Sequence, residues 1–181
     1  MRRWLIFITC CVVIVAVYIF GIKTGQQIAV KTGQSVAKLA QPNMSREAIL
    51  VWANEAALAI MSYDFANHER QLQQAAEYFT PEGWKSYMDV FTKAGTLDMV
   101  INKKLTVSAV ATGAAKLMDQ GVVADKYTWK VQLPMLVTYA GANTSTKQNL
   151  LLTMTIVRTE DGQGKRGVGI LDFLSTTKTS S

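Results

Sequence analysis

The chain's one histidine, His68, lies in Asp64-Phe65-Ala66-Asn67-His68-Glu69-Arg70, with carboxylates close by on either side. General acid–base catalysis could use such a pair, but it needs the proton acceptor held in a pocket that tunes its pKa. The neighbours here are polar, and they read as the solvated start of a helix with His68 exposed or locally hydrogen-bonded. Glu69, Glu77 and Glu82 raise the possibility of paired carboxylates or a metal site, yet they too have polar neighbours and are read as solvated helix charges. One histidine and two cysteines exclude a multi-histidine centre and a four-cysteine zinc site. No G-x-S-x-G elbow and no G-x-x-x-x-G-K phosphate loop occurs. Gly164-Lys165-Arg166-Gly167 is a basic turn in which phosphate binding is weakly signalled; Arg166 is read as a partner contact. The sequence therefore predicts no catalytic residue, no metal and no cofactor, and a protein that is not an enzyme.

Composition narrows the choice further. Of 181 residues, 49% are hydrophobic and 18% charged, which is too apolar for a disordered chain. The net charge of +6 is unevenly placed: Arg2, Arg3, Lys23, Lys31 and Lys38 have no acidic counterpart before residue 39. Subtracting those five from 19 basic residues leaves 14 against all 13 acidic ones, so the remainder is nearly neutral. A nucleic-acid-binding domain keeps its excess charge on the folded part. Here the charge flanks an apolar segment and points to a membrane boundary, and direct nucleic-acid contact is not expected.

That segment, Trp4 to Ile22, is an uncharged run of 19 residues. As a helix at about 1.5 Å per residue it spans roughly 28 Å, close to the ~30 Å hydrocarbon core. Phe7 and Phe20 add to its apolar surface, while Trp4 and Tyr18 suit the two interfaces. Cys10 and Cys11 are adjacent, which rarely meets disulfide geometry, and are read as apolar fillers, with palmitoylation as the alternative. The run exceeds a signal-peptide core, and Phe20-Gly21-Ile22-Lys23 is a poor cleavage site. Processing as a lipoprotein at either cysteine would leave too little apolar sequence. An uncleaved signal anchor is the reading that remains. Lysines on one side nearly balance the two arginines on the other, so charge counting leaves orientation close to a tie. The three-residue tail favours a domain outside the cytoplasmic membrane.

Residues 23–38 hold an eight-residue repeat, Lys23-Thr24-Gly25-Gln26 echoed by Lys31-Thr32-Gly33-Gln34, which is read as a polar stalk or as a continuation of the membrane helix. Pro42 and Asn43 end it. Ser45 caps a predicted helix from Arg46 whose apolar face carries Ile49, Trp52, Ala53, Ala56, Ile60 and Met61. A second helix is predicted over about His68–Phe79. A third starts at Thr80-Pro81-Glu82 and stops near Ala94-Gly95. Thr96–Asn102 adds one more turn.

From Lys104 the period changes to two, and strands are predicted over Lys104–Ala111, Val122–Tyr139, Gln148–Arg158 and Gly167–Leu174. Tyr127, Trp129, Val131 and Leu133 share one parity, and Pro134 implies a bulge, a bend or an edge. Helices followed by long antiparallel strands give an α+β class, a curved sheet wrapped on a helical layer. The predicted organisation is a tail at 1–3, a transmembrane helix at 4–22, a basic stalk at 23–44, a domain at 45–175 and a flexible tail at 176–181.

Leu72-Gln73-Gln74-Ala75-Ala76-Glu77-Tyr78-Phe79-Thr80-Pro81-Glu82-Gly83-Trp84 resembles the helix–turn–helix signature of the IcmL/DotI family, whose conjugative relatives are called TraM. The similarity continues through Val107–Gly113, Tyr127–Pro134 with Trp129, Gln148–Leu151 and Arg166-Gly167-Val168-Gly169-Ile170, covering about residues 45–174. The resemblance implies an inner-membrane subunit of a type IVB secretion or conjugation apparatus. It further implies one membrane helix, a periplasmic domain with a nuclear-transport-factor-2-like cone fold, and action by homo-oligomerisation and contact with other channel subunits. In that frame Tyr78-Phe79-Thr80-Pro81 fixes the angle between two helices, Tyr78 and Phe79 pin the turn to the sheet, and Gly83 and Trp84 allow close packing. The lipid bilayer would be met through residues 4–22. The alternative is a membrane-tethered periplasmic enzyme or small-ligand binder that uses the pocket of the cone.

Overall fold

The computed structural model describes residues 37–160 and 164–177. The predicted anchor at 4–22 and nearly all of the repeat lie outside the described residues. Among those described, no helix is long and apolar enough to cross a membrane.

Helix α1 spans Arg46–Ile60. Ser45 caps it, its hydroxyl accepting the Ala48 N–H at 3.2 Å. Ile49, Trp52, Ala53, Ala56, Ala57 and Ile60 are buried on one face, and the three alanines let the helix lie close to the layer beneath. A short strand, β1 (Tyr63–Asp64), follows, then α2 (His68–Ala76), α3 (Pro81–Lys93) and α4 (Thr96–Asn102). α2 ends three residues earlier than predicted. The Tyr78 and Phe79 N–H groups turn back to the Ala75 and Ala76 carbonyls, which frees the next backbone groups for the sheet.

Five further strands complete the domain: β2 (Thr106–Ala111), β3 (Lys116–Val123), β4 (Lys126–Ala140), β5 (Ser145–Arg158) and β6 (Val168–Thr177). All pair antiparallel in the order β1-β2-β4-β5-β6, with β3 also on β4. Trp129, Val131, Leu133, Met135 and Val137 of β4 alternate inward beside Leu150, Leu152, Met154 and Ile156 of β5, and all are buried. Each such side chain stabilises the fold by roughly 1.5–3 kcal/mol relative to exposure. α1 contributes Trp52 and Ile60 from above, giving one core between a helical layer and a curved sheet.

Further predicted boundaries need correction. The stretch read as one strand from Val122 to Tyr139 spans the end of β3, a turn and most of β4, because Ala124 and Asp125 adopt φ of 47° and 62° between the two strands. Two consecutive left-handed residues make the tight turn that matches strand twist. The sequence hid it because neither position is glycine. The tail predicted from 176 is also shorter, since Ser175, Thr176 and Thr177 pair with Leu152, Leu151 and Leu150. Backbone pairing needs no apolar side chain, and the Thr176 hydroxyl adds a bond to the Leu151 carbonyl at 3.3 Å.

Pro134 causes no bulge against β5, where it stands in register with Leu151. On its other side β2 covers Met135–Ala140 and β3 covers Lys126–Gln132, so Pro134 falls in the gap between two partners sharing one edge. Its carbonyl accepts the Thr112 N–H at 2.9 Å. A residue without an N–H belongs where no ladder partner is waiting.

The folded unit also begins earlier than residue 45, at Leu39. Buried Arg158 donates to the Gln41 carbonyl at 2.7 Å, and the Asn43 amide donates to the carbonyls of Arg166 and Gly167 at 3.2 and 3.0 Å.

A non-glycine residue held in the left-handed region costs about 1 kcal/mol. Replacing Ala124-Asp125 by Asn-Gly is expected to raise the unfolding free energy by about 1 kcal/mol, read as a higher denaturant midpoint at unchanged slope.

Candidate functional site

The segment Tyr78–Trp84 is built onto the start of β6. The Ile170 N–H donates to the Tyr78 carbonyl at 2.8 Å, and the Thr80 N–H donates to the Ile170 carbonyl at 2.9 Å. These two bonds make Phe79 a one-residue parallel partner of Ile170. Thr80, itself buried, caps α3 by accepting the Gly83 N–H at 3.0 Å, and Pro81 supplies the first helical residue. Glu82 occupies the first turn and is exposed, where its charge suits the helix dipole.

Gly83 is buried, and a β-carbon there would run into the Ile170 carbonyl oxygen. From the facing strand, a β-carbon on Gly169 would come within 3.0 Å of the Thr80 methyl. The two glycines therefore let helix and strand backbones touch. Phe79 closes the contact with rings: Trp84 at 5.4 Å, Tyr87 at 5.1 Å and Phe173 at 6.1 Å. Trp84 also stacks on Tyr87 at 5.7 Å.

The basic turn folds back on the helices. Gly164, Arg166 and Gly167 adopt φ of 68°, 63° and 72°, which curls the chain tightly. Lys165 pairs with Glu77 at 3.1 Å and lies 4.3 Å over the Tyr78 ring, while its carbonyl accepts the Trp52 indole N–H at 3.1 Å. The bond to Glu77 is the main cause that raises the Lys165 pKa, against a smaller opposing effect of desolvation. Arg166 pairs with Glu55 at 3.4 Å. Glu77 is thus an ion-pair partner, not the merely solvated charge predicted for it. Both pairs are half exposed, so each contributes at most about 1 kcal/mol. The predicted partner contact at Arg166 meets a side chain already engaged within the chain.

The residues with catalytic chemistry are held by local hydrogen bonds. The His68 ring nitrogen meets the Phe65 carbonyl at 3.0 Å. Asp64 accepts the N–H groups of Ala66 and Asn67 at 2.9 and 3.0 Å, with further bonds from the Asn67 and Gln71 amides. Desolvation pushes its carboxyl pKa up, but these hydrogen bonds, led by the Asn67 side chain, outweigh it and hold the carboxyl below its ordinary value. Among the described residues, no group of three or more His, Cys, Asp and Glu is gathered to hold a metal. Trp129 is a fully buried core residue and Pro134 lies at the strand gap, while the anchor positions Trp4 to Ile22 fall outside the described residues. Composition gave no signal for the pairing of Glu55 and Glu77 with the turn.

Two outcomes test this geometry. Gly83→Ala is expected to destabilise the domain by about 3 kcal/mol, because the β-carbon meets backbone that cannot yield, and the denaturant midpoint should fall accordingly. Asp64 has a depressed native pKa, so its contribution is complete above 3.8 and fades as pH falls below it. The stability gap between the parent chain and Asp64→Ala should therefore be constant from pH 7 to 5 and close in acid, measured by pH-dependent denaturation.

Comparison with known proteins gives this surface a context. The family model described as type-IV b secretion system, inner-membrane complex component, matches residues 5–177. The periplasmic domain of DotI is 41% identical, with 75% of this chain and 98% of that one covered at a TM-score of 0.73. An IcmL-like type IV secretion system protein from Legionella pneumophila is 30% identical, covering 77% and 98% at a TM-score of 0.70. A periplasmic fragment of TraM shares the fold at 23% identity, covering 74% and 98% at a TM-score of 0.68. No curated protein sequence matches. With a match running through both the amino-terminal apolar run and the whole α+β domain, the chain belongs to the DotI/IcmL family of type IVB secretion system inner-membrane complex components.

Proposed function

We propose that this protein is a single-pass scaffold of a type IVB secretion or conjugation channel, held in the inner membrane by residues 4–22 with its domain in the periplasm. The observation that carries the reading is the family match over residues 5–177, which takes in all but the first residue of an uncharged run, Trp4–Ile22, long enough to span a bilayer. In this reading residues 1–3 stay in the cytoplasm and residues 23–38 form the stalk. The folded part that follows them works as a nuclear-transport-factor-2-like domain. Its near-neutral charge suits contact with other proteins and gives no electrostatic basis for binding transported DNA. The family matched is one of inner-membrane complex components, which supports a role in assembly by contact.

Residues 78–84 act in the proposal as a structural clamp that keeps the domain surface in one shape for self-association and for neighbouring subunits. Crosslinking of the full-length chain in intact cells is expected to trap homo-oligomers together with other channel subunits. Protease added outside the inner membrane should digest the domain while the anchor is protected. Recovery of monomers alone, with transfer intact after deletion of the gene, would overturn the proposal.

A further inference from the structure

Strand register gathers three tyrosines around one opening. Tyr63 of β1 stands opposite Val107 of β2, and Val107 stands opposite Tyr139 of β4. Both phenols therefore rise from one row on one face of the sheet. Tyr87 reaches the same place from α3, its ring stacked on Phe91 at 5.5 Å, and Phe91 meets Tyr63 edge-on at 5.7 Å. Between α3 and the ends of the long strands these side chains line a cleft of about 370 Å³, within the range of small-molecule sites.

The tyrosine hydroxyls of the cleft are not engaged by other described side chains. None of the three phenol hydroxyls has a hydrogen-bond partner among the described residues, and no fully buried side-chain polar atom there is left unsatisfied. Each hydroxyl thus keeps accessible surface where it faces the cleft. Burial raises the pKa of all three, helped for Tyr63 by Tyr139 and Tyr87, so they stay protonated and able to donate at neutral pH. The lining contains no lysine, arginine or histidine, and the exposed residue Asp172 of β6 is its one carboxylate. An anion entering would lose hydration with no cation to meet it. The charge of Asp172 is hydrated and screened, which gives little hold on a cation. The walls, Phe91, Phe173 and the Tyr87 ring, suit a flat apolar body.

We infer that this cleft binds an uncharged, ring-bearing small molecule through a carbonyl or similar acceptor placed against the hydroxyls of Tyr63, Tyr87 and Tyr139. This site adjoins the Tyr78–Trp84 clamp through Tyr87 and Phe173, whose rings meet Phe79, and does not rest on the scaffold reading.

Three probes of one shape and different charge test it: benzamide, benzoate and benzamidine, titrated into the full-length chain in lipid nanodiscs with carbon-13-labelled tyrosine. Benzamide should shift the three tyrosine resonances saturably with Kd below about 10 mM, the value for about 0.3 kcal/mol per heavy atom. It should bind about ten-fold more tightly than either charged probe. Tyr63→Phe, Tyr87→Phe and Tyr139→Phe, made singly so that one poorly folding variant leaves two to read, should each weaken benzamide by about three- to ten-fold while toluene binding is unchanged. The inference is overturned if benzamide leaves these resonances unmoved, if a charged probe binds as tightly, or if the folded phenylalanine variants hold benzamide as the parent does.

Discussion

Two backbone hydrogen bonds, from Ile170 to the Tyr78 carbonyl and from Thr80 to the Ile170 carbonyl, decide how the helical layer meets the sheet. They require α2 to stop at Ala76, because a longer helix would keep the Tyr78 and Phe79 backbone for itself. They require β6 to arrive with Gly169 and the first turn of α3 to carry Gly83, since a β-carbon on Gly83 would run into the Ile170 carbonyl and one on Gly169 would press on Thr80. Thr80 serves both sides, donating its N–H to the strand and lending its hydroxyl to the helix cap. The aromatic rings of Phe79, Trp84, Tyr87 and Phe173 then fill the angle so formed. A string that reads in sequence as a family signature is, in physical terms, the set of residues that one close crossing permits.

What could be read before folding and what could not divide along the range of the interactions. Ser45, Thr80-Pro81 and Gly95 mark helix ends through local chemistry, and the structure places caps there. The alternation from Trp129 to Val137 marks the buried face of β4 for the same reason. The Ala124-Asp125 turn escaped because its left-handed residues carry side chains, so nothing in their type interrupts a β-rich run. The ion pairs of Lys165 and Arg166 escaped because their partners lie roughly ninety to a hundred and ten residues away, on segments that only the tertiary fold brings near. The row of Tyr63 and Tyr139 depends on register across three strands, which no spacing along the chain encodes.

The basic turn shows how little a charged tip says about its purpose. Lys165 and Arg166 read as groups offered to solvent or to a partner, and each instead closes onto an acidic side chain of the same domain. The energy of such half-exposed pairs is small, so their effect is to hold the turn in one orientation. Tyr78 takes part from beneath through its ring, and Trp52 through its indole N–H, which ties the turn to the core as well as to the surface.

The bonds from Arg158 to Gln41 and from Asn43 to the carbonyls of Arg166 and Gly167 join positions 117, 123 and 124 residues apart. A ribosome makes Gln41 and Asn43 long before it makes their partners, so the earliest part of the domain cannot reach its final seat while the chain is still growing. Contacts of such separation slow folding as well. The domain is thereby kept unfinished until its last hairpin has emerged, a timing that suits the proposed delivery of this domain across the inner membrane.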